Sequence, residues 1–427
     1  MSQTPLHAEI ERPPANRKPA PGAALATLKI LASLKITVVL FALSIILVFY
    51  GTLAQKEQDI WDVVNEYFWS WCVFIPNRLT SMFLQIFFGM PTSFNIPGSI
   101  PFPGGKLIFW AIAVNLLAAH ATRLRVSWER SGVLLIHGGL ILMMLGEFLT
   151  REFAVENTMT LITGGKSSFV ESNRHVELAF LQPKDSATDH VLVVPGPMLE
   201  AAAKSGKPID DPRLPCTVTV KQYYHNCDLK DRLKDEPPYT THGEGKDLIM
   251  LERPRINGVD PDQKVNMPGA LVQLTDRDGT DLGTWLVSIW LQQTRTPRPQ
   301  KLTTKAGEQL VSLRFQRTYK PYTITLEEFR HEVYPGTTKP RNFQSDIRLE
   351  DPEIGVDRPT TIRMNEPMRH RGETFYQHQA LAGDSGSVLQ VVRNPGWLLP
   401  YLSCAVVSLG MLTHFGINLS RYLRRMA

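Results

Sequence analysis

The stretch "RSGVLLIHGGLILMMLGEFLT", Arg130–Thr150, decides how the chain folds. From Gly132 to Leu149 it carries one formal charge, Glu147. About twenty apolar residues cross a hydrocarbon core and about seventeen suffice, so the stretch reads as a membrane-spanning helix. Within it lies His137, a turn or two from the basic end. An imidazole in hydrocarbon is costly, and such residues usually face a cavity or a ligand.

Three further runs share this character: Ile36–Leu53, Leu107–Ala121 and Trp397–Leu419. The second is short, and extending it back through Gly104–Lys106 brings it to length. The reading is four spanning helices. Mean hydropathy over the whole chain is slightly negative, which excludes a transporter built of helices throughout.

The placement of Lys and Arg sets the orientation. Arg12, Arg17, Lys18, Lys29 and Lys35 precede the first span, and Arg123, Arg125 and Arg130 fill the loop between the second and third. Arg421, Arg424 and Arg425 follow the fourth. With four spans these basic segments share one face, the cytoplasmic one, and both termini lie there. The net charge of +5 reflects this topology and gives no case for nucleic acid binding. Residues 1–30 read as an inner-side leader, disordered to about Gly22. No secretory cleavage pattern follows the first apolar run.

Residues 31–149 then hold spans one to three, with an outer loop at 54–104. The loop's Trp61, Trp69, Trp71 and several Phe suit amphipathic helices at the membrane interface, where aromatic rings prefer to sit. The alternative is a docking surface or a lid over a hydrophobic ligand. Residues 150–394 carry β signals. "CTVTVKQYYHN" (Cys216–Asn226) alternates, and "ALVQLTDRDGTDLGTWLVSIW" (Ala270–Trp290) reads as two strands around Asp278-Gly279. A short helix is expected at Met198–Ser205 and a charged loop at Asp228–Lys246. Residues 395–427 form the fourth span and a basic inner tail. The expected fold is therefore membrane α+β: four transmembrane helices plus a large outer antiparallel β-rich domain, a sandwich or open barrel, inserted between helices three and four.

The outer domain shows no Ser-centred elbow, H-E-x-x-H, phosphate loop or metal-ligand spacing. Neither C-x-x-C-H nor C-x-x-C occurs. Cys72, Cys216 and Cys227 fall outside the membrane and Cys404 within span four; Cys216 and Cys227 either pair in an oxidising compartment or stay reduced. His370 and His378, eight apart in "MRHRGETFYQHQ", could share a strand face, and His225 adjoins Tyr223 and Tyr224. Surface or hydrogen-bonded histidines account for all three. A large β domain without a visible active site points to binding or scaffolding.

The membrane histidines differ. His120 lies three residues before Arg123, His137 seven after Arg130 and His414 seven before Arg421. At about 1.5 Å per residue the last two sit about 10 Å from their basic anchors, and His120 about half as deep. Each could bond a carbonyl of a neighbouring helix. Gly138 and Gly139, beside His137, permit close approach of a flat ligand, and a neutral imidazole is a standard axial ligand for haem.

At this point the chain resembles a family. "YGTLAQ" (Tyr50–Gln55), "NLLAAHATRLR" (Asn115–Arg125), "YPGTTKPRNFQSDIRLED" (Tyr334–Asp351), "TTIRMNEPMRHRGETFYQ" (Thr360–Gln377) and "VVRNPGWLLPY" (Val391–Tyr401) are similar, in order and spacing, to the ResB (CcsB) proteins of the system II cytochrome c assembly pathway. The resemblance implies a subunit of a cytochrome c haem-lyase complex, not catalytic alone; a leader without the Ser-rich character of a transit peptide points to a bacterial inner membrane rather than a thylakoid. The subunit would work with membrane lipid and a CcsA-type (ResC) partner, carrying non-covalent haem b outward to apocytochrome c. It also implies that His137 is an axial haem ligand, opposed by a histidine of the partner. The partner's tryptophan-rich haem motif is absent, and "WSW" at Trp69–Trp71 is no substitute. Where family members often carry a small or thiol residue, this chain has His120, which with His414 stands as a further candidate ligand. Two rival readings are a membrane-anchored b-type cytochrome passing electrons and a non-haem scaffold.

Overall fold

The computed structural model describes residues 23–123, 127–183, 189–233, 236–256, 265–292, 299–305, 307–337 and 340–427. The leader to residue 22 and the basic residue Arg125 lie outside the described residues. Among the described residues four helices are long and apolar enough to cross a membrane, which makes this a multi-pass membrane protein. They are α2 (Leu34–Ala54), α5 (Gly105–Arg123), α6 (Ser131–Phe153) and α8 (Leu399–Met426). The first three each cover an expected run; α8 starts two residues after Trp397 and continues seven residues beyond Leu419, through the basic tail. Shorter helices are α1 (Ala23–Leu31), α3 (Ile60–Val63), α4 (Asn77–Phe88) and α7 (Gly196–Ser205).

The chain divides into two compact units. One gathers the residues up to Tyr50, Glu66–Met144 and Leu402–Ala427; the other gathers Gly51–Asn65 and Leu145–Tyr401.

In the first unit, α1 occupies residues assigned above to the leader. Its "AALATLKIL" is rich in Ala and Leu, which favour helix. The chain breaks before α2, and Asn115 of α5 answers the freed carbonyls: its Nδ2 donates to Leu31 O and Ser33 O, while Thr37 Oγ1 donates to its Oδ1. The 54–104 loop holds one amphipathic helix, α4, which buries Leu79 and exposes Ile86, Phe87 and Phe88. It also holds an antiparallel pair, β1 (Cys72–Pro76) and β2 (Ser99–Pro103), which was not expected. Prolines at positions 76, 101 and 103 argue against a central strand, but a two-stranded ribbon is all edge and tolerates them.

α6 and α8 meet through small residues. A Cβ added to Gly132 would strike the backbone of His414, and one on Gly139 would strike Val407. Gly410 in turn lies against Ile136 and Gly132. One more step of seven along α6, Gly146 meets Leu399 and Pro400. Glycines at a seven-residue spacing let two antiparallel backbones approach, as small residues do in membrane bundles.

The second unit is β-rich. Its strands are β3 (Val155–Ile162), β4 (Lys166–Pro183), β5 (Asp189–Pro195), β6 (Cys216–Tyr224), β7 (Cys227–Asp231), β8 (Leu248–Glu252), β9 (Gly269–Asp276), β10 (Asp281–Ser288), β11 (Gln300–Thr304), β12 (Gly307–Val333), β13 (Pro340–Asp351), β14 (Val356–Arg363), β15 (Met368–His370), β16 (Glu373–Ala380) and β17 (Gly386–Arg393). The main sheet runs β14-β13-β12-β4-β3-β17-β16-β15, with β5 on β4 and β11 on β12. Every strand pairing in it is antiparallel.

Both expected architectures occur, because β4 and β12 are long enough to serve two cores. Their halves at Val176–Phe180 and Val311–Phe315 pack with α7 and the separate sheet β10-β9-β6 in a sandwich. Their other halves, around Val170 and Tyr322–Leu326, line a nearly closed barrel with β13, β14, β16 and β17. The register shifts between Tyr319 and Ile324, where Pro321 removes a ladder donor. The ends of the sheet curl towards each other. Ser345 on β13 donates to Gln377 Oε1 on β16 at 2.7 Å, and Gln377 Nε2 donates to Ser387 Oγ on β17 at 2.9 Å.

The hairpin at Asp278-Gly279 and the helix at Met198–Ser205 appear as expected, with Gly279 at φ +88°. The segment Asp228–Lys246 is not all loop. Residues up to Asp231 belong to β7, which pairs with β8 and turns Leu229 towards a small core at Cys227, Met250 and Leu286. A two-stranded ribbon leaves its other face to water, so the alternating Asp and Lys misled. Residues 234–235 of that segment lie outside the described residues.

Candidate functional site

His120 stands near the end of α5 and His137 in the second turn of α6. Their rings touch edge to face, with centroids 5.2 Å apart and planes at 89°. Each imidazole folds back on its own helix: His120 Nδ1 lies 3.0 Å from Leu116 O and His137 Nδ1 lies 3.1 Å from Val133 O. A carbonyl can only accept, so Nδ1 carries a proton in each ring, and the neutral form of such a ring has its lone pair at Nε2. Histidine binds metals through either nitrogen, and this tautomer is the one that presents Nε2 while a backbone carbonyl holds Nδ1–H. His120 Nε2 is buried and has no hydrogen-bond partner among the described residues. A buried acceptor left unpaired costs about 1–3 kcal/mol. A free imidazole Nε2 is a nitrogen of the kind a haem iron takes as ligand.

The third candidate, His414, stands apart in its bonding. Its Nε2 lies 3.1 Å from Asn418 Nδ2, which donates to it, and its backbone lies against Gly132. That places it level with Gly132, five residues before His137 on α6, so the two are not at one depth. Five helical residues amount to roughly 7 Å. The glycines beside His137 also differ. Gly138 faces open space, where an added Cβ would meet nothing within 4 Å, whereas the space at Gly139 is taken by Val407 and by Ser403 O.

In the β-rich unit, His370 is buried and its Nε2 lies 2.7 Å from Asp351 Oδ2. Arg371 grips the same carboxylate with two bonds, Nε to Oδ2 at 2.6 Å and Nη2 to Oδ1 at 2.8 Å. These hydrogen bonds, Arg371's foremost, lower the Asp351 carboxyl to about 2. The His370 ring meets Tyr322 at 5.0 Å, and the Tyr322 hydroxyl and Lys320 ammonium both donate to Glu373 at 2.5 Å. Burial and that carboxylate push the Tyr322 phenol up, so it stays protonated. This network joins β12, β13, β15 and β16 and ties the barrel seam with charge. Nothing local in the sequence marks it, since its members come from distant strands. His378 lies on β16, exposed and across a turn from His370 on β15, so they share no strand. His225 pairs with Glu200 at 3.1 Å and stacks edge-on with Tyr223.

Cys216 and Cys227 are separate, buried free thiols. Burial pushes Cys216 up to about 12, and Cys227 up as well, so neither offers a thiolate. Among the described residues no group of three or more His, Cys, Asp or Glu side chains is placed to hold a metal ion.

Residues 300–387 match the ResB-like family. This span runs from β11 to the start of β17 and contains every member of the Asp351 network. A stretch of 102 residues, 24% of the chain, is 30% identical to Protein NrfI of Wolinella succinogenes, and it covers 11% of that protein's length.

Proposed function

The chain is ResB-like over residues 300–387, and from that premise we propose that it is a membrane subunit of the cytochrome c assembly machinery. It holds haem b within the bilayer through His137 and passes it, with a CcsA-type partner, to apocytochrome c outside. The observation that supports the haem site is the pair of touching imidazoles in two spanning helices, with the His120 nitrogen left unanswered. When bound, haem supplies an iron that takes imidazole nitrogen on its axial positions.

The chain's own residues do the rest. Val133 O fixes the His137 tautomer and ring direction. Gly138, next to His137 in the chain, faces open space. The α6–α8 seam holds the helix that carries His137. The β-rich unit, with its seam tied at Asp351, offers a rigid surface for apocytochrome or partner. The protein lies in a bacterial inner membrane with both termini and the basic clusters on the cytoplasmic side and the β-rich unit outside. Covalent attachment draws on the apocytochrome's thiols and needs no catalytic base from this chain.

The test is maturation in cells that depend on this chain. His137→Ala is expected to abolish covalent c-type haem, leaving b-type haem proteins and the level of the inserted chain unchanged. A chain that is dispensable for c-type cytochromes but retains haem and transfers electrons would be a b-type cytochrome instead. Full maturation with His137→Ala would leave the scaffold reading.

A further inference from the structure

We infer that α4 is a lipid-binding element, its aromatic face immersed in the membrane interface of the leaflet where α2 ends and α5 begins. In the orientation proposed above that is the outer leaflet. This role is independent of haem.

Four observations carry it. First, the chain from Leu79 to Gly105 holds no Asp, Glu, Lys or Arg. It lies between two spanning helices, so it must return to the membrane face at which α2 ended. Second, every uncharged polar side chain on α4 is bonded within the chain. Asn77 Nδ2 donates to Pro97 O at 2.9 Å, and the Thr80 and Tyr50 hydroxyls lie 2.9 Å apart. Ser81 Oγ accepts from Ile96 N at 2.8 Å, and Gln85 Nε2 donates to Phe94 O at 2.7 Å. The helix thus turns its polar side towards the returning chain and the end of α2. Polar groups at membrane depth have to be satisfied in this way, inside the protein.

Third, Ile86, Phe87 and Phe88 are each more than half exposed, and Met90 beyond the helix is exposed as well. Phe83 joins them to α2: its ring meets Phe49 edge-on at 5.2 Å and Phe87 at 4.8 Å. Phe49 shares a face of α2 with Ile45 and Ile46, both exposed, so the rings of α4 extend an apolar flank that the span already turns to lipid. Fourth, the Lys106 ammonium at the start of α5 lies 5.0 Å and 5.6 Å from the centroids of Trp69 and Trp71. Trp rings and snorkelling Lys side chains gather at headgroup level. A docking site for another protein would set a polar rim around its apolar centre, and the uncharged stretch has no charge to build one. The 12 residues of α4 cover about 18 Å of surface, and an interfacial helix sinks its apolar face by about 5–10 Å.

The experiment uses the full chain, reconstituted alone into phosphatidylcholine–phosphatidylglycerol vesicles. The exposed Cys72 and Cys404 are replaced by Ser, and single nitroxide labels are placed at Phe87→Cys or Ile86→Cys. Ile45→Cys on α2 is the reference in lipid, and Lys204→Cys, on the exposed face of α7, the reference in water. Electron paramagnetic resonance compares collision with oxygen, which concentrates in lipid, against collision with a water-soluble nickel chelate. Labels at positions 86 and 87 are expected to favour oxygen several-fold over the label at position 204, and to approach the value at position 45. Phe87→Asp should then shift the label at position 86 towards the nickel chelate several-fold and leave the label at position 45 unchanged, which shows that the spans are still inserted. Values at positions 86 and 87 equal to that at position 204 overturn the inference. So does shielding of both labels from both reagents, the mark of a second copy of the chain covering this face. An unchanged ratio at position 86 in Phe87→Asp overturns it too, since contacts with α2 alone would then hold the helix in place.

Discussion

A Cβ added to Gly139 would stand 2.6 Å from Val407 Cγ2 and 3.0 Å from Ser403 O. Glycine at this position therefore serves the approach of α8 rather than a ligand beside His137. Gly138, one residue earlier, has open space where its side chain would be. The two neighbours should respond oppositely to substitution. Gly139→Ala overpacks the seam at a cost of about 1–3 kcal/mol, because the nearest atoms include backbone that cannot yield. Thermal melts of the detergent-purified chain should show a lower midpoint for Gly139→Ala and little change for Gly138→Ala. Equal effects at both sites would contradict the seam.

Glu177 on β4 and Arg314 on β12 face each other in register, 2.9 Å apart, each about 5% exposed. Such a pair contributes little beyond what two well-packed apolar residues would, but losing one partner strands a buried charge. Glu177→Leu or Arg314→Met alone should destabilise the β-rich unit by about 3–5 kcal/mol. The double variant should recover most of that loss, which denaturant titration would measure as a coupling energy. Additive losses would mean that the pair is not coupled.

The membrane helices were legible because a spanning helix needs only an uncharged run of sufficient length, and Ile36–Leu53 or Gly132–Leu149 supplies one without reference to anything distant. The two-core role of β4 and β12 was not. Each is one long strand whose register shifts, so neither shows a single alternation along its length, and the bend follows from partners far away in the chain. The Asp351 network was invisible for the same reason, since Tyr322, Asp351, His370 and Glu373 meet only after β12, β13 and β16 have closed. His137 stood out as an imidazole in an apolar run. Its contact with His120 did not, because depth was counted from Arg123 and Arg130 as if those anchors lay level. Nothing local in the sequence sets their relative height. The same counting placed His414 too deep, since the seam through Gly132 sets its level.

Asp351 gives the barrel a defined acid limit. Its carboxyl is lowered to about 2, first by the two bonds from Arg371 and then by His370. In the unfolded chain an aspartate titrates near 3.9. A group depressed in this way contributes stability that is fully present above the unfolded value and is lost as pH falls through the folded one. The window is therefore from about pH 4 down to about pH 2. Other charges facing the group are Glu353, which also binds Arg371, and Glu373, which holds Tyr322 and Lys320 beside it. Asp351→Asn keeps the shape but removes the charge, so it should lower the melting midpoint at neutral pH, where Arg371 loses its bidentate partner. The gap between variant and wild type should then narrow as pH falls through the window, because protonation does to the wild type what the substitution has already done. Near-ultraviolet circular dichroism melts at a series of pH values would follow it. A gap that stays constant from pH 6 to pH 2 would show that the carboxylate's charge is not what holds the β13 end to the β15–β16 turn.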